Sequence, residues 1–201
     1  MSTERALTVD EFERIAPFID GRSELVDGRL RVMSPTGLLH GILGARIVAA
    51  LEIYLDEHPD LGEAAGAETG FRVADPRRPV MAPDAAFVRA DRLPEVSEGP
   101  IKRDDPIVRF MNGPPDLAVE VRSPDDSANE MREKARAWLA VGAREVWLVD
   151  GQHETVQAHR PDQRPVALAK GDTLTAPDVL PSFSLPLADL FARRRRPATR
   201  P

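Results

Sequence analysis

The stretch that decides the fold covers residues 116–150 and reads DLAVEVRSPDDSANEMREKARAWLAVGAREVWLVD. Its apolar segments 116–121 and 145–149 each predict a short, buried strand. Between them, Ser127–Glu130 has the pattern of a capping box, which predicts the start of a helix, and Gly142 is placed to end that helix. A strand, a helix and a strand within so short a span predict a βαβ crossover with two parallel strands.

The remaining sequence adds antiparallel strands and further helices on both sides of this unit. The predicted elements are a short helix over 8–16, a hairpin over 23–33 around Asp27-Gly28, a long amphipathic helix over 38–57, a strand within 63–73, a strand over 82–89, and short strands with a last helical turn over 166–190. A polar segment over 92–113 is long for a connection in a compact domain, which is typical of a functional or mobile loop. The order of elements predicts an α/β fold with a mixed α+β sheet that carries helices on its faces.

Composition limits the classes of protein that the chain can belong to. Its 201 residues are 42% hydrophobic, which suits a single domain over 1–192, followed by a basic, disordered tail over 193–201. The absence of cysteine excludes disulfide scaffolds and thiolate zinc sites. A net charge of −6 argues against a protein that packages nucleic acid by electrostatics alone.

Nothing in the sequence predicts contact with a membrane. No apolar run reaches the roughly 18–20 residues that would span a bilayer. The N-terminal residues are followed by charged side chains rather than by an apolar signal region. We therefore expect a cytoplasmic protein.

Two carboxylates are predicted to meet at one end of the sheet. Asp84 follows Pro83 at the start of one strand, and Glu120 lies near the end of the next. If these strands run antiparallel, the start of one faces the end of the other. Close carboxylates repel each other unless a cation neutralises them. Because hard divalent cations take oxygen ligands of this kind, the pair is a candidate site for Mg²⁺ or Mn²⁺.

Lys134 is the candidate cationic side chain beside this pair. Its helix follows the Glu120 strand directly, and apolar residues at helical spacing place it at the edge of the face that packs on the sheet. These neighbours are Met131, Ala135 and Trp138, all of which we interpret as core residues. A buried ammonium needs a carboxylate partner, which favours a contact with the acidic pair. A lysine that covers the core with its stem and keeps its head in water fits the same pattern.

Three further polar residues are candidates with plainer alternatives. Glu24, before the hairpin turn, is either a third carboxylate of the site or a solvated hairpin residue. His40, near the start of the long helix, either contacts a phosphate or is a hydrogen-bonded structural histidine, which is the more common case. Asp116 shares a strand face with Glu120 but lies roughly 13 Å away at about 3.3 Å per residue, so both cannot bind one metal. Asp116 either supports the site or caps a turn.

Several motifs together resemble the Uma2 family of PD-(D/E)xK, restriction-endonuclease-like proteins. The bare signature is Pro83-Asp84 followed by Glu120-Val121-Arg122, with arginine where the motif has lysine. The more specific matches are Glu24–Gly28, Met33–Pro35, His40, Ala82–Asp84, Pro115–Pro124, Lys134 and Gly142–Asp150. The resemblance covers roughly residues 7–191, which is nearly the whole chain.

The resemblance implies an αβββαβ core with an N-terminal helix and hairpin, and a metal-dependent endonuclease that hydrolyses phosphodiester bonds. Carried over to this chain, Asp84, Glu120 and the Val121 carbonyl bind Mg²⁺ or Mn²⁺. Lys134 replaces the lysine of the motif and assists the attacking water, because Arg122 is permanently charged and cannot act as a base. The implied partners are nucleic acid, DNA first, and a second copy in a homodimer. The alternative is a catalytically weak module that keeps the fold and binds nucleic acid or a protein.

Overall fold

The computed structural model describes residues 6–21, 23–32, 35–96, 99–103 and 105–193. Met33-Ser34 of the family motif and residues 194–201 of the predicted tail lie outside these ranges. The helices are α1 Val9–Ile15, α2 Leu38–Asp56, α3 Ala128–Ala140 and α4 Leu187–Leu190. The strands are β1 Ser23–Val26, β2 Arg29–Val32, β3 Gly62–Gly66, β4 Phe71–Arg72, β5 Val80–Met81, β6 Ala85–Arg89, β7 Met111–Asn112, β8 Leu117–Val121, β9 Glu145–Asp150, β10 Thr155–His159, β11 Val166–Ala169, β12 Thr173–Ala176 and β13 Leu180–Pro186.

The main sheet has six strands in the order β11-β10-β9-β8-β6-β3. β8 and β9 are parallel and are connected through α3, so the predicted βαβ crossover is confirmed. β6 pairs antiparallel with both β3 and β8. In chain order, α2, β3, β6, β8, α3 and β9 form the αβββαβ core that the sequence resemblance implies.

A second sheet, with the order β2-β1-β5-β4-β7, lies beside the one mixed sheet that the sequence predicts. The strand predicted within 63–73 is β3 of the main sheet, and the same stretch also contains β4 of the second sheet. The strand predicted over 82–89 begins later than expected: it is β6, which starts at Ala85, whereas β5 ends at Met81 in the second sheet. The chain crosses between the sheets at Ala82-Pro83-Asp84, where proline has no N–H for a ladder hydrogen bond. Asp84 therefore precedes its strand instead of starting it.

The hydrogen bonds at both ends of α3 fix the helix that carries Lys134. The side chain of Ser127 accepts a hydrogen bond from the Glu130 amide, and the Glu130 side chain accepts one from the Ser127 amide, so the capping box is confirmed. At the other end Gly142 has a φ of 108°, which favours glycine. Its amide donates to the Leu139 carbonyl at 3.1 Å, which helps close the last turn.

The two long helices pack on opposite faces of the main sheet. On one face, the α2 residues Leu43, Ile47 and Leu51 join a core with β6, β8 and β9. On the other face, the α3 residues Met131 and Trp138 join the second core cluster. A side chain near the end of β6 or β8 can therefore be reached from either face.

The outer surface of α2 corrects the expectation of an amphipathic helix and of no membrane-length apolar segment. α2 has 19 residues and a mean hydropathy of 1.6, so by length and composition alone it could cross a membrane. Leu43, Ile47, Leu51 and Leu55 are nevertheless buried in the fold. The solvent side of α2 carries apolar residues as well, and Leu38 is 82% exposed. The helix is apolar nearly all round, which the three- and four-residue spacing of its buried side did not reveal.

Candidate active site

Asp84 lies at the end of the main sheet and is bonded to β8 by both its backbone and its side chain. Its amide donates to the Val119 carbonyl at 2.9 Å, which continues the antiparallel ladder by one residue beyond β6. Its Oδ2 accepts the Val121 amide at 2.7 Å. The side chain is only 3% exposed. The connection between the sheets thus places a buried carboxylate at the last residue of β8.

Glu120 occupies the matching position on the neighbouring strand. Ala85 and Val119 are Cα partners in the antiparallel register, and Asp84 and Glu120 are each the next residue outward. The two carboxylate residues therefore lie at the same end of the sheet, as the sequence predicts. Glu120 is 5% exposed, and its Oε1 accepts the Trp138 indole N–H at 2.8 Å.

Lys134 approaches Glu120 from α3. Its Nζ lies 3.6 Å from Glu120 Oε2 and 3.5 Å from Asp126 Oδ2, and its side chain is 30% exposed. These distances are those of ion pairs rather than of short hydrogen bonds. The head group thus lies between two carboxylates at the edge of the site. This position agrees with the interpretation in which Lys134 contacts the acidic pair through Glu120.

His40 reaches Asp84 from the first turn of α2. Its Nε2 lies 3.2 Å from Asp84 Oδ2, and its side chain is 11% exposed. His40 and Lys134 therefore come from helices that lie on opposite faces of the main sheet. This contact fits a histidine that orients a carboxylate.

Arg122 holds the loop between β8 and α3. Its Nη1 donates to Asp150 Oδ2 at 2.6 Å, and its Nε donates to the Asp126 carbonyl at 2.9 Å. Burial alone would raise the pKa of Asp150, but hydrogen bonds from Arg122 and His153 outweigh it and lower that pKa to about 2. Asp150 is therefore ionised and paired with Arg122 at any ordinary pH. The loop that Arg122 holds also contains Asp126, whose Oδ2 lies 3.5 Å from Lys134 Nζ.

Asp116 lies at the opposite end of β8 from Glu120, and Glu24 lies in the second sheet. Asp116 lies before β8 at the end opposite to Glu120, and its Oδ2 accepts the Arg89 amide at 3.1 Å and Arg92 Nη1 at 2.9 Å. That bonding matches the turn-capping interpretation. Glu24 lies in β1 of the second sheet, half-buried, next to Leu25, whose Cα partner is Val80.

The oxygen atoms at this end of the sheet suit a hard divalent cation. Among the residues that the structure describes, no group of three or more His, Cys, Asp or Glu side chains could hold a metal ion, so Glu24 does not complete such a cluster. Two carboxylates remain, with the backbone of Val121 beside Asp84. Mg²⁺ commonly uses one or two carboxylates, water and substrate phosphate, and this donor set fits that pattern.

Sequence reasoning missed two partners of the site. Trp138, which is 1% exposed, is a core residue as predicted, yet its N–H also binds Glu120. Asp126 directly precedes the capping box of α3, and its Oδ2 faces Lys134 Nζ. The spacing of Lys134 and Trp138 at i and i+4 is the signal that could have linked the tryptophan to the site, because both point to one helix face.

Comparison with known proteins agrees with this architecture. The Uma2 family, described as "Putative restriction endonuclease", matches residues 9–188. The crystal structure of a protein described as a putative nuclease of DUF820, from Anabaena variabilis ATCC 29413, superimposes with a TM-score of 0.73 at 21% sequence identity. That match covers 92% of this chain and 97% of the other, and shows a shared fold. No curated protein matches the chain.

The family match spans most of the chain and includes Asp84, Glu120 and Lys134. The restriction-endonuclease-like fold expected from the sequence is confirmed by the shared fold. The family description supports a nuclease function in general terms. This chain belongs to the Uma2 family of proteins described as putative restriction endonucleases.

Proposed function

We propose that this protein is a divalent-metal-dependent nuclease that hydrolyses phosphodiester bonds in nucleic acid, with DNA as the first substrate to test. The observation that carries the proposal is the register of β6 and β8, which places the buried Asp84 and Glu120 at one end of the sheet. Lys134 Nζ lies 3.6 Å from Glu120, so a cationic amine accompanies the acidic pair. Membership of the Uma2 family supports this assignment.

Asp84, Glu120 and the Val121 carbonyl are the groups that would hold Mg²⁺ or Mn²⁺. All three offer oxygen donors, which these hard cations prefer over nitrogen or sulfur. When bound, the cation supplies charge neutralisation at the scissile phosphate and lowers the pKa of its water. The hydrogen bond from the Val121 amide to Asp84 keeps one carboxylate oxygen fixed against β8.

Lys134 is the residue that acts on the attacking water and the developing charge. Its position between Glu120 and Asp126 keeps the ammonium at the edge of the site, where it orients water by hydrogen bonding. Its positive charge also stabilises negative charge that develops on the phosphate oxygens. Arg122 does not serve in its place, because its guanidinium is bound to Asp150 and to the Asp126 carbonyl.

His40 acts through Asp84 rather than on the substrate. With its Nε2 3.2 Å from Asp84 Oδ2, it limits the rotation of that carboxylate.

Cutting both strands of a duplex requires two sites, and for that reason we also propose that the protein acts as a homodimer. Light scattering of the purified chain in the presence and absence of duplex DNA tests that part of the proposal.

The nuclease proposal is tested by cleavage of supercoiled plasmid, single-stranded DNA and RNA in Mg²⁺ or Mn²⁺. The wild type should cleave at least one substrate, and Asp84→Ala/Glu120→Ala should not. A matched control replaces two exposed carboxylates, Asp91→Ala/Glu133→Ala, and should cleave normally.

Failure of the wild type to cleave any of these substrates in either metal would contradict the proposal. Retained binding of nucleic acid in that case would favour the catalytically weak binding module. Equal loss of cleavage in both double variants would mean that the effect is not specific to the acidic pair.

A further inference from the structure

We propose that Trp138 is a positioning residue for Glu120: its indole N–H holds Oε1, so that Glu120 presents Oε2 to a divalent cation. This inference rests on the proposed function, since it takes Glu120 to be a metal ligand. It assigns to a core tryptophan a role in the site that neither its burial nor its helical spacing required.

The contact itself is short and enclosed. Trp138 Nε1 lies 2.8 Å from Glu120 Oε1, and both side chains are buried. An indole has a single N–H and accepts no hydrogen bond, so its one donor is committed to this oxygen. Oε2 is the oxygen that faces Lys134 Nζ at 3.6 Å. The two carboxylate oxygens are thereby distinguished, one by the indole and one by the lysine.

The indole ring is fully buried and packed against another aromatic ring. It packs edge-on against Phe71, with ring centroids 6.1 Å apart and an interplanar angle of 89°. Met131 and Ala135, on the same side of α3, belong to the same core cluster as Trp138. A rigid donor fixes the orientation of its acceptor, and removing such a partner of a metal ligand typically lowers metal affinity by roughly 10–100-fold.

The chain contains a second pair of the same kind, which serves as an internal control. Trp147 Nε1 donates to Glu145 Oε1 at 2.7 Å, and both residues are buried. Glu145 is the Cα partner of Leu117, at the end of β8 opposite to Glu120. Because the chain has two tryptophans, each indole N–H gives one of two signals in a ¹H–¹⁵N correlation spectrum.

The first experiment titrates Mg²⁺ into the ¹⁵N-labelled wild type, with the two indole signals assigned from Trp138→Phe and Trp147→Phe. The Trp138 N–H signal should shift with saturable dependence on Mg²⁺, and the Trp147 signal should shift much less. Equal shifts of both signals, or no shift at Trp138 while Mg²⁺ binds, would overturn the inference.

The second experiment measures Mn²⁺ binding by calorimetry. Trp138→Phe should weaken binding by about 10-fold or more, and Trp147→Phe should leave it unchanged. If Trp138→Phe does not fold, 3-benzothienylalanine at position 138 in a Trp147→Phe background keeps the ring shape and removes the N–H, with the same expected loss.

Comparison with Glu120→Gln separates the two proposals. Weak binding by Glu120→Gln together with wild-type binding by Trp138→Phe would overturn the positioning role and leave Glu120 as the ligand. Wild-type binding by Glu120→Gln would overturn both the positioning role and the proposed metal site.

Discussion

Two glutamates of the main sheet, Glu120 and Glu145, each accept a hydrogen bond from a buried tryptophan, and they differ in the cation that accompanies them. Glu145 Oε1 accepts the Trp147 indole N–H at 2.7 Å, and Glu120 Oε1 accepts the Trp138 N–H at 2.8 Å. Arg160 binds Glu145 through both oxygens, with Nε 2.9 Å from Oε2 and Nη2 3.0 Å from Oε1. This two-point geometry is the strongest form of carboxylate pairing available to a side chain.

The cation beside Glu120 is held more loosely. Lys134 Nζ lies 3.6 Å from Glu120 Oε2 and is shared with Asp126 at 3.5 Å, and its side chain is twice as exposed as that of Arg160, 30% against 15%. An ammonium on a flexible stem can move when water or a phosphate enters, whereas a two-point guanidinium cannot. We infer that the Glu145 pair serves stability and that the Glu120 pair serves chemistry.

The largest expected difference between the pairs is in cleavage. Glu120→Gln keeps the shape of the side chain but removes its charge, and should lower the cleavage rate by more than about 100-fold, since even indirect partners of a metal ligand cost up to that much. Glu145→Gln should cleave at the wild-type rate, because Glu145 lies at the opposite end of the strands. Plasmid-nicking rates measure both. Similar losses in the two variants would remove the distinction between the pairs.

The next largest effect is the loss of cleavage when the ammonium of Lys134 is removed. Lys134→Met keeps the stem and removes the ammonium, and should lower the maximal cleavage rate by about 100-fold, the lower range for loss of a group that acts on water. Lys170→Met is a matched control, because Lys170 forms an exposed ion pair with Glu154 at 2.9 Å. Single-turnover kinetics at saturating metal give both rates. A Lys134→Met enzyme with a normal rate would mean that this lysine only covers the core.

The free energy of unfolding should depend more on Glu145 than on Glu120, which is the reverse of the order expected for cleavage. Glu145→Ala removes the acceptor of the Arg160 guanidinium and of the buried Trp147 N–H, and should lower the free energy of unfolding by about 3 kcal/mol. Glu120→Ala should lower it less, because Lys134 is more exposed and retains Asp126. Urea denaturation measures both values. A larger loss for Glu120→Ala would assign the structural role to the wrong pair.

The smallest effect is the pH dependence of stability. Burial raises the pKa of Glu145 above its ordinary value of 4.5, although hydrogen bonds from Arg160 and Trp147 oppose the shift. The folded state therefore binds this proton more tightly than the unfolded state does. The resulting stability is present below pH 4.5 and is lost as the pH rises through the raised pKa of the folded protein.

Two variants check this sign. Glu145→Gln should remove the decline in stability that the wild type shows as the pH rises above 4.5. Asp150→Asn tests the opposite direction. The lowered pKa of Asp150 gives stability that is present above pH 3.8 and is lost as the pH falls toward 2. The Asp150→Asn variant should not show that loss at low pH. A curve for Glu145→Gln parallel to that of the wild type would show that Glu145 does not titrate in this range.

The core of the fold could be predicted from local sequence because its signals are local. The capping box at Ser127–Glu130 and the stop at Gly142 define α3 without reference to the rest of the molecule. The second sheet could not be predicted in the same way, because β4, β5 and β7 have two residues each and show no alternation. Their pairing depends on how the chain crosses between sheets at Pro83.

The sequence could predict which residues come together at the site, but not which atoms of their side chains make contact. Strand order placed Asp84 and Glu120 at one end of the sheet, and helix spacing turned Lys134 toward them. The choice of oxygen by Trp138 depends on side-chain rotamers in a packed core, which a sequence pattern does not contain. For the same reason the sequence does not show that Glu145 is paired with Arg160 and Glu120 with Lys134.

The most direct test of the central claim is calorimetric titration of Mn²⁺ into the wild type, Glu120→Gln and Glu145→Gln. The wild type and Glu145→Gln should bind Mn²⁺ with the same affinity and stoichiometry, and Glu120→Gln should bind it far more weakly. Binding that survives in Glu120→Gln, or that is lost equally in Glu145→Gln, would contradict the assignment of Glu120 to the metal.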